Sequence, residues 1–334
     1  MTGRQRVIDA IDHKATALTP WAFETTRGFA SLMEKEFGCA DAEAYLESNV
    51  MFGAYKKTEW LSEDVYSDFF GVHWKVGGDG GDIGIPVNKL IGAENVDDFI
   101  FPSLDYTLLD GALEKMAADT QRFRMFRMTY AMYERAWALM GMEDTMLNMA
   151  LYPDIVKRLL TRIAEYQLGI LDYVLGGDFE GVYFGDDWGG QGGLIMGPNY
   201  WREFIKPQMK RLFDRVKSKG KYVLLHCCGN ISKIFEDIIE IGCDVYNTVQ
   251  PEIYDLEQIK AEYGDRLTFW GAMSTQRFLP FASAREVYDK SLETIRTLGE
   301  GGGYIFSPTH ALTPDIPVEN AVAMLRAVKD IKWQ

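Results

Sequence analysis

The sequence predicts an α/β protein, a (β/α)8 (TIM) barrel with its active site at the carboxyl ends of the strands. From residue 105 onward, helical segments alternate with short apolar strands. This alternation implies parallel strands joined by right-handed crossovers. With one strand at Trp21 and one within residues 48–76, the count is eight, which favours a closed barrel over an open doubly wound sheet.

The N-terminal third contains the less regular elements. Residues 3–13 predict a short amphipathic helix, and Trp21 opens the first strand after Thr19-Pro20. Helices are expected at 28–37 and from an Asp41 cap to Leu46. Residues 50–105 are interpreted as an irregular insertion within one domain spanning 1–334, and the second strand has no definite position there. The glycine-rich tract from Gly77 to Gly84 lacks the ending of a phosphate loop and predicts a hairpin or flexible loop.

The remaining elements follow in regular order along the chain. The predicted helices are Leu108–Thr120, Glu134–Met140, Glu143–Met149, Pro153–Leu175, 199–218, Ile231–Ile241, Leu256–Tyr263, Ala284–Leu298 and Val318–Lys329. The predicted strands are Phe123–Tyr130, Gly181–Gly185, Tyr222–Cys228, Asp244–Gln250, Leu267–Gly271 and Gly302–Ser307.

Composition excludes several classes of function. The 334 residues are 47% hydrophobic and carry a formal net charge of −14, which argues against nucleic acid or an anionic membrane surface as a partner. The N-terminus has no signal-peptide core and no stretch has the length of a membrane span, so we expect a soluble cytoplasmic protein. Four cysteines are too few for a disulfide framework.

The strand that ends in His226-Cys-Cys228 is the most informative stretch. Side chains alternate along a strand, so His226 and Cys228 project to one side while Cys227 points the other way and is interpreted as core. An imidazole and a thiol offered together form half of a soft-metal site. With His310, which follows the last strand, they give three ligands for zinc and leave a fourth position open. The thiolate favours zinc over magnesium or calcium, and leaves cobalt or iron open.

Polar side chains also end the other late strands. Asp186 and Asp187 follow the fourth strand, either as helix caps or as catalytic groups. Gln250 ends the sixth strand and Trp270 the seventh. Taken alone, His310 would also fit an ordinary loop residue.

Several runs resemble the uroporphyrinogen decarboxylase superfamily: Gly185-Asp-Asp-Trp-Gly, His226-Cys-Cys-Gly-Asn, Tyr263 to Gly271, Gly301 to His310, and Pro314-Asp-Ile-Pro-Val-Glu-Asn. The resemblance covers the C-terminal half and implies a (β/α)8 barrel with one central cleft. True decarboxylases share an N-terminal Arg-Gln-Ala-Gly-Arg-Tyr segment, whereas this chain has Glu24-Thr-Thr-Arg27. The other branch comprises zinc methyltransferases with a His-x-Cys…Cys pattern, and here His310 falls at the position of the last cysteine.

The resemblance therefore implies a zinc-dependent methyltransferase that moves a methyl group between a small donor, such as a methoxylated aromatic, and a corrinoid protein. Zinc would act as a Lewis acid, and Asp186 or Asp187 as acid, base or partner of a ligand histidine. Trp188, Trp270, Tyr183 and Tyr246 would suit an aromatic substrate or be plain core.

Two alternatives to this hypothesis remain. A homodimer is compatible with each of the three. One is a metal-free decarboxylase acting on a small acid, with His310 and Asp186 as proton donors and Cys228 merely packed. The other is a non-catalytic corrinoid-binding or scaffold protein.

Overall fold

The computed structural model describes residues 1–77, 84–331 and 333. The chain divides into two compact units. The first unit comprises Met1–Met51, Asp119–Arg124 and Asp244–Gln334, and the second comprises Phe52–Ala118 and Met125–Cys243. Each unit combines parallel strands with helices, as expected for an α/β protein. Among the described residues, no helix combines the length and apolar composition needed to cross a membrane.

The helices and strands are numbered in chain order. The helices are α1 (Gly3–Ile11), α2 (Arg27–Phe37), α3 (Ala42–Tyr45), α4 (Tyr106–Ala117), α5 (Tyr133–Met140), α6 (Met142–Leu151), α7 (Pro153–Val174), α8 (Gly197–Tyr200), α9 (Lys206–Lys217), α10 (Phe235–Glu240), α11 (Leu256–Tyr263), α12 (Ala284–Gly299) and α13 (Val318–Asp330). The strands are β1 (Val50–Ala54), β2 (Thr58–Trp60), β3 (Val65–Asp68), β4 (His73–Val76), β5 (Gly84–Pro86), β6 (Phe123–Thr129), β7 (Gly181–Gly185), β8 (Gly189–Gly190), β9 (Gly193–Leu194), β10 (Tyr222–His226), β11 (Val245–Val249), β12 (Thr268–Met273) and β13 (Tyr304–Pro308).

In the second unit, β6, β7 and β10 pair in parallel. Phe184 of β7 packs its ring 5.2 Å from Phe213 of α9, so this face of the strand is covered by helices. Because side chains alternate, Tyr183 lies on the opposite face. The register aligns Gly185 with both Thr129 and His226, so the carboxyl ends of the three strands are level.

A four-stranded antiparallel sheet, β2-β3-β4-β5, occupies the region predicted to be irregular. Its strands are only three or four residues long, too short for a clear two-residue alternation. β4 and β5 pair with each other, and residues 78–83 of the predicted glycine-rich loop lie outside the described residues. The buried side chain of Trp74 packs against Tyr130 and Trp137, with ring centroids 4.8 and 6.2 Å away, so the sheet rests on α5.

In the first unit, β11, β12 and β13 pair in parallel. The strand predicted at Trp21 takes the form of two isolated bridges, Trp21 to Phe306 and Thr25 to Leu312. The N–H of Ala22 donates to the carbonyl of Phe306, and that of Asn49 donates to the carbonyl of Trp21. This segment is therefore hydrogen-bonded like a strand but is not a regular one. Among the described residues, the predicted count of eight regular parallel strands is not reached. The unplaced second strand is β1.

Candidate metal centre

Three side chains of the second unit converge at the level ends of β7 and β10. His226 is the last residue of β10, and Cys228 lies two residues beyond it, while Asp187 lies two residues beyond the end of β7. One ligand atom from each of Asp187, His226 and Cys228 lies within 4.8 Å of the others. The predicted alternation of His226 and Cys228 is confirmed, because their Nε2 and Sγ atoms are 3.4 Å apart.

The spacing of these atoms suits a zinc ion. Tetrahedral zinc with bonds of about 2.0–2.3 Å holds neighbouring ligand atoms about 3.5 Å apart. The Cys228 Sγ to His226 Nε2 distance is 3.4 Å, and the distance from that nitrogen to Asp187 Oδ1 is 3.8 Å. One sulfur, one nitrogen and one oxygen donor also match the ligand preferences of zinc. The donor set therefore fits the metal that the sequence predicts, with Asp187 as a candidate ligand that the sequence did not assign to it.

Burial controls the chemistry of the sulfur ligand. Burial raises the pKa of the Cys228 thiol, and the charge of nearby Asp187 raises it further. Without a metal the sulfur is thus protonated, whereas a bound cation would favour the thiolate. The Asp187 side chain is 37% exposed and that of His226 is 16% exposed, so the group is reachable from solvent. The Cys228 N–H donates to Asp187 Oδ1 at 2.7 Å, which orients the carboxylate.

Asp186, by contrast, is fully buried and holds main chain in place. Its Oδ1 accepts the N–H groups of Met132 and Glu134 at 3.1 and 2.9 Å, and its Oδ2 accepts that of Tyr133 at 2.8 Å. The Trp188 indole N–H donates to Oδ2 at 2.5 Å. Asp186 therefore caps the start of α5, a helix that precedes it in the chain rather than the one that follows. Burial raises its pKa to about 6, which leaves the carboxylate ionised at neutral pH.

Two residues that the sequence analysis missed lie beside this group, Tyr130 and Glu134. The Glu134 carboxyl accepts the N–H of Asp187, and burial followed by the charges of Asp187 and Asp186 raises its pKa well above the usual value. Tyr130 follows β6 directly and has a left-handed backbone, φ 54°. Burial and then the charge of Glu134 raise its pKa. The sequence signal was a polar end to β6, Thr129-Tyr130, with an acidic residue in the first turn of the next helix.

A cation and two aromatic rings lie one row below the candidate ligands, on the same face of the sheet. The Arg127 guanidinium carbon is 3.4 Å from the ring centroid of Phe52 and 5.1 Å from that of Tyr183. The Tyr183 ring is in turn 5.9 Å from the ring of His226. These residues form an apolar and cationic surface below the candidate ligands. Arg127 is another residue that the sequence did not assign to the site.

The other predicted site residues are placed as follows. Trp188 is buried, with its ring 5.2 Å from that of Trp201. In the first unit, Trp270, Tyr246 and Gln250 are buried, and the Tyr246 hydroxyl lies 3.0 Å from that of Tyr254. His310 also belongs to the first unit, where it is exposed two residues after the end of β13.

Fold and site together define an α/β protein with a candidate metal site at its strand ends. Comparison with known proteins narrows this class. The profile described as uroporphyrinogen decarboxylase (URO-D) matches residues 128–331, which is more than half of the chain, and the chain belongs to this family.

Individual relatives are more distant. The chain is 23% identical over 181 residues to uroporphyrinogen decarboxylase of Coxiella burnetii, a match that covers 53% of this chain and 48% of the relative. It is 26% identical over 183 residues to that of Magnetococcus marinus, covering 53% and 49%. The chain thus spans about half the length of the curated relatives it matches. A solved methyltransferase from Methanosarcina mazei shares the fold, with a TM-score of 0.75, 16% identity and 99% of each chain covered.

Proposed function

We propose that this protein is a zinc-dependent methyltransferase that moves a methyl group between a small methyl donor and a corrinoid protein. The observation that carries the proposal is the convergence of Asp187, His226 and Cys228 at distances suited to zinc. The structural likeness to a protein named as a methyltransferase supports the same reading. We take methoxylated aromatic compounds as the donor class, so that the reaction is an O-demethylation.

In this proposal Asp187, His226 and Cys228 would hold the metal, which would supply Lewis acidity toward the oxygen of the methyl ether. His310 is retained as a further candidate ligand. A corrinoid supplied by the partner in its cobalt(I) state would take the methyl group as the methyl–oxygen bond breaks, and the leaving oxygen would take a proton. Glu134 is the candidate donor of that proton, since it lies buried beside Asp187 and burial raises the pKa of its carboxyl.

The remaining residues orient these groups. Asp186 anchors the start of α5 and thereby places Glu134, whose own N–H it accepts. Tyr183, beside the His226 ring, is the aromatic residue best placed to contact an aromatic donor. Trp188, Trp270, Tyr246 and Gln250 are retained as candidate substrate-binding residues. We also propose that the fold is a (β/α)8 barrel, with the Trp21 segment as its first strand.

A second candidate is a metal-free decarboxylase acting on a small acid, and Arg127 is the observation that favours it. A guanidinium held between two rings in the row below His226 would pair with a substrate carboxylate. In that reading Cys228 is only packed, and Cys228→Ser would keep its activity.

Metal content separates the two candidates. Protein purified anaerobically without chelator would be assayed by elemental analysis as wild type, His226→Ala and His73→Ala, the last changing a histidine of β4. We expect about one zinc per chain in wild type and His73→Ala, and loss in His226→Ala. Methyl transfer from methoxylated aromatics to reduced free cobalamin would then be followed by absorbance. Folded wild-type protein with no metal would overturn the zinc proposal.

A further inference from the structure

Cys227, the buried neighbour of the candidate ligands, joins the two loops that carry them. Its Sγ is 0% exposed and accepts the N–H of Trp188 at 3.1 Å. The same sulfur donates its own hydrogen to the carbonyl of Cys228 at 3.4 Å. One thiol is thus hydrogen-bonded to the main chain of both loops, at Trp188 and at Cys228.

These bonds fall directly beside the ligands. Asp187 immediately precedes Trp188, and Cys228 immediately follows Cys227. The bonds therefore fix the distance between the chain that carries the carboxylate and the chain that carries the thiolate. The N–H of Cys228 reinforces the same link by donating to Asp187.

The backbone of the two loops is also in direct contact on this side. A Cβ at Gly229, which has φ +80°, would lie 2.3 Å from the carbonyl carbon of Gly189. The N–H of Asn230 donates to the carbonyl of Gly190 at 2.9 Å. There is thus no space for a side chain between the loops at this point.

We propose that Cys227 is a positioning residue for the metal site: its thiol holds the Asp187 and Cys228 main chains in register, so that both side chains reach one ion. This inference rests on the proposed function, because it assigns Cys227 a role toward the zinc. Partners that orient metal ligands typically contribute about 10–100-fold to metal affinity. We expect a loss of that size in Cys227→Ala, although no ligand side chain is altered.

The test measures zinc affinity by competition with a chromophoric chelator, for wild type, Cys227→Ala, Cys227→Ser and Cys243→Ala. Cys243 is also buried, so Cys243→Ala matches the loss of packing without touching the loops. We expect wild-type affinity in Cys243→Ala, a loss of about 10–100-fold in Cys227→Ala, and an intermediate value in Cys227→Ser, whose hydroxyl keeps part of the bonding. Cobalt(II) spectra of the same proteins should show altered d–d bands only in the Cys227 variants.

The outcomes separate this inference from the function on which it rests. A wild-type protein that binds no zinc overturns the proposed function. Zinc binding in wild type that both Cys227 variants leave unchanged overturns the positioning role alone, as does an equal loss in Cys243→Ala. If Cys227→Ala does not fold, Cys227→Ser decides the matter through the same titration.

Discussion

Asp186→Asn should destabilise the protein while leaving every candidate ligand in place. The carboxylate is fully buried, and each of its oxygens accepts two N–H groups. An amide of the same shape keeps one oxygen and turns an NH2 group toward the other two donors. Those two N–H groups then lose their acceptor and face a like donor.

The expected loss follows from that count. A buried donor left unsatisfied costs about 1–3 kcal/mol, so two cost about 4 kcal/mol. Unfolding entropy of about 2.1 cal/mol/K per residue gives about 0.7 kcal/mol/K for 334 residues. The melting temperature of Asp186→Asn should therefore fall by about 6 °C.

Differential scanning calorimetry of the metal-free protein would measure the change, with Asp187→Asn as the matched control. Asp187 is the next residue and undergoes the same substitution, but its side chain is 37% exposed. We expect its melting temperature to fall by less than about 2 °C, in keeping with an exposed site, and its zinc affinity to fall instead. A melting temperature for Asp186→Asn within about 1 °C of wild type, or a larger drop in Asp187→Asn, would refute the reasoning.

Three further predictions concern the second unit. Zinc affinity should rise about tenfold from pH 7 to pH 8, because the raised pKa of Cys228 keeps it protonated without metal and binding releases that proton; chelator competition at each pH measures this. Arg135→Met should lower the free energy of unfolding in urea by about 3 kcal/mol, the low end for a broken buried pair, since the largely buried Asp68 loses its 2.6 Å ion pair and keeps N–H donors alone. Gly229→Ala should lower both stability and zinc affinity, because its Cβ would meet the Gly189 backbone at 2.3 Å.

Each of these three predictions has its own control and a result that would contradict it. A zinc affinity that is flat with pH would mean that Cys228 is not the proton source. Lys89→Met removes the exposed 2.6 Å pair with Asp144 and should cost at most about 1 kcal/mol; an equal cost for Arg135→Met would contradict the buried-pair argument. Gly220 has φ +68° with nothing within 4 Å of a Cβ, so Gly220→Ala should leave zinc affinity unchanged, and a matching loss there would point to backbone strain alone.

Local sequence patterns predicted many of the helices and strands. The strand Gly181–Gly185 was predicted with its observed bounds, because glycines flank an apolar run that has no polar residue to blur its ends. The helix Val318–Asp330 begins at the predicted residue and ends one residue beyond the predicted Lys329. The shared side of His226 and Cys228 followed from the two-residue period of a strand alone.

The remainder depended on contacts between distant residues. Whether Asp186 or Asp187 meets His226 is decided by α5, whose free N–H groups take up the Asp186 carboxylate. The residues next to Asp186 and Asp187 in the sequence give no indication of that helix. The sequence predicts for Glu134 only that a helix begins there. The raised pKa of its carboxyl arises from burial and from carboxylates about fifty residues away in sequence, which no local pattern indicates. The sequence predicts a strand at Trp21, whereas in the structure this segment pairs through two isolated bridges.

The bridge from Trp21 to Phe306 has a consequence for synthesis on the ribosome. Its two residues are 285 positions apart in sequence, and at about 5–20 residues per second the second emerges about 15–60 s after the first. Throughout that interval Trp21 and Phe23, both buried in the finished protein, lack the strand against which they pack. The nascent chain should therefore depend on chaperones that bind apolar segments, and early termination before residue 306 should yield an aggregation-prone product.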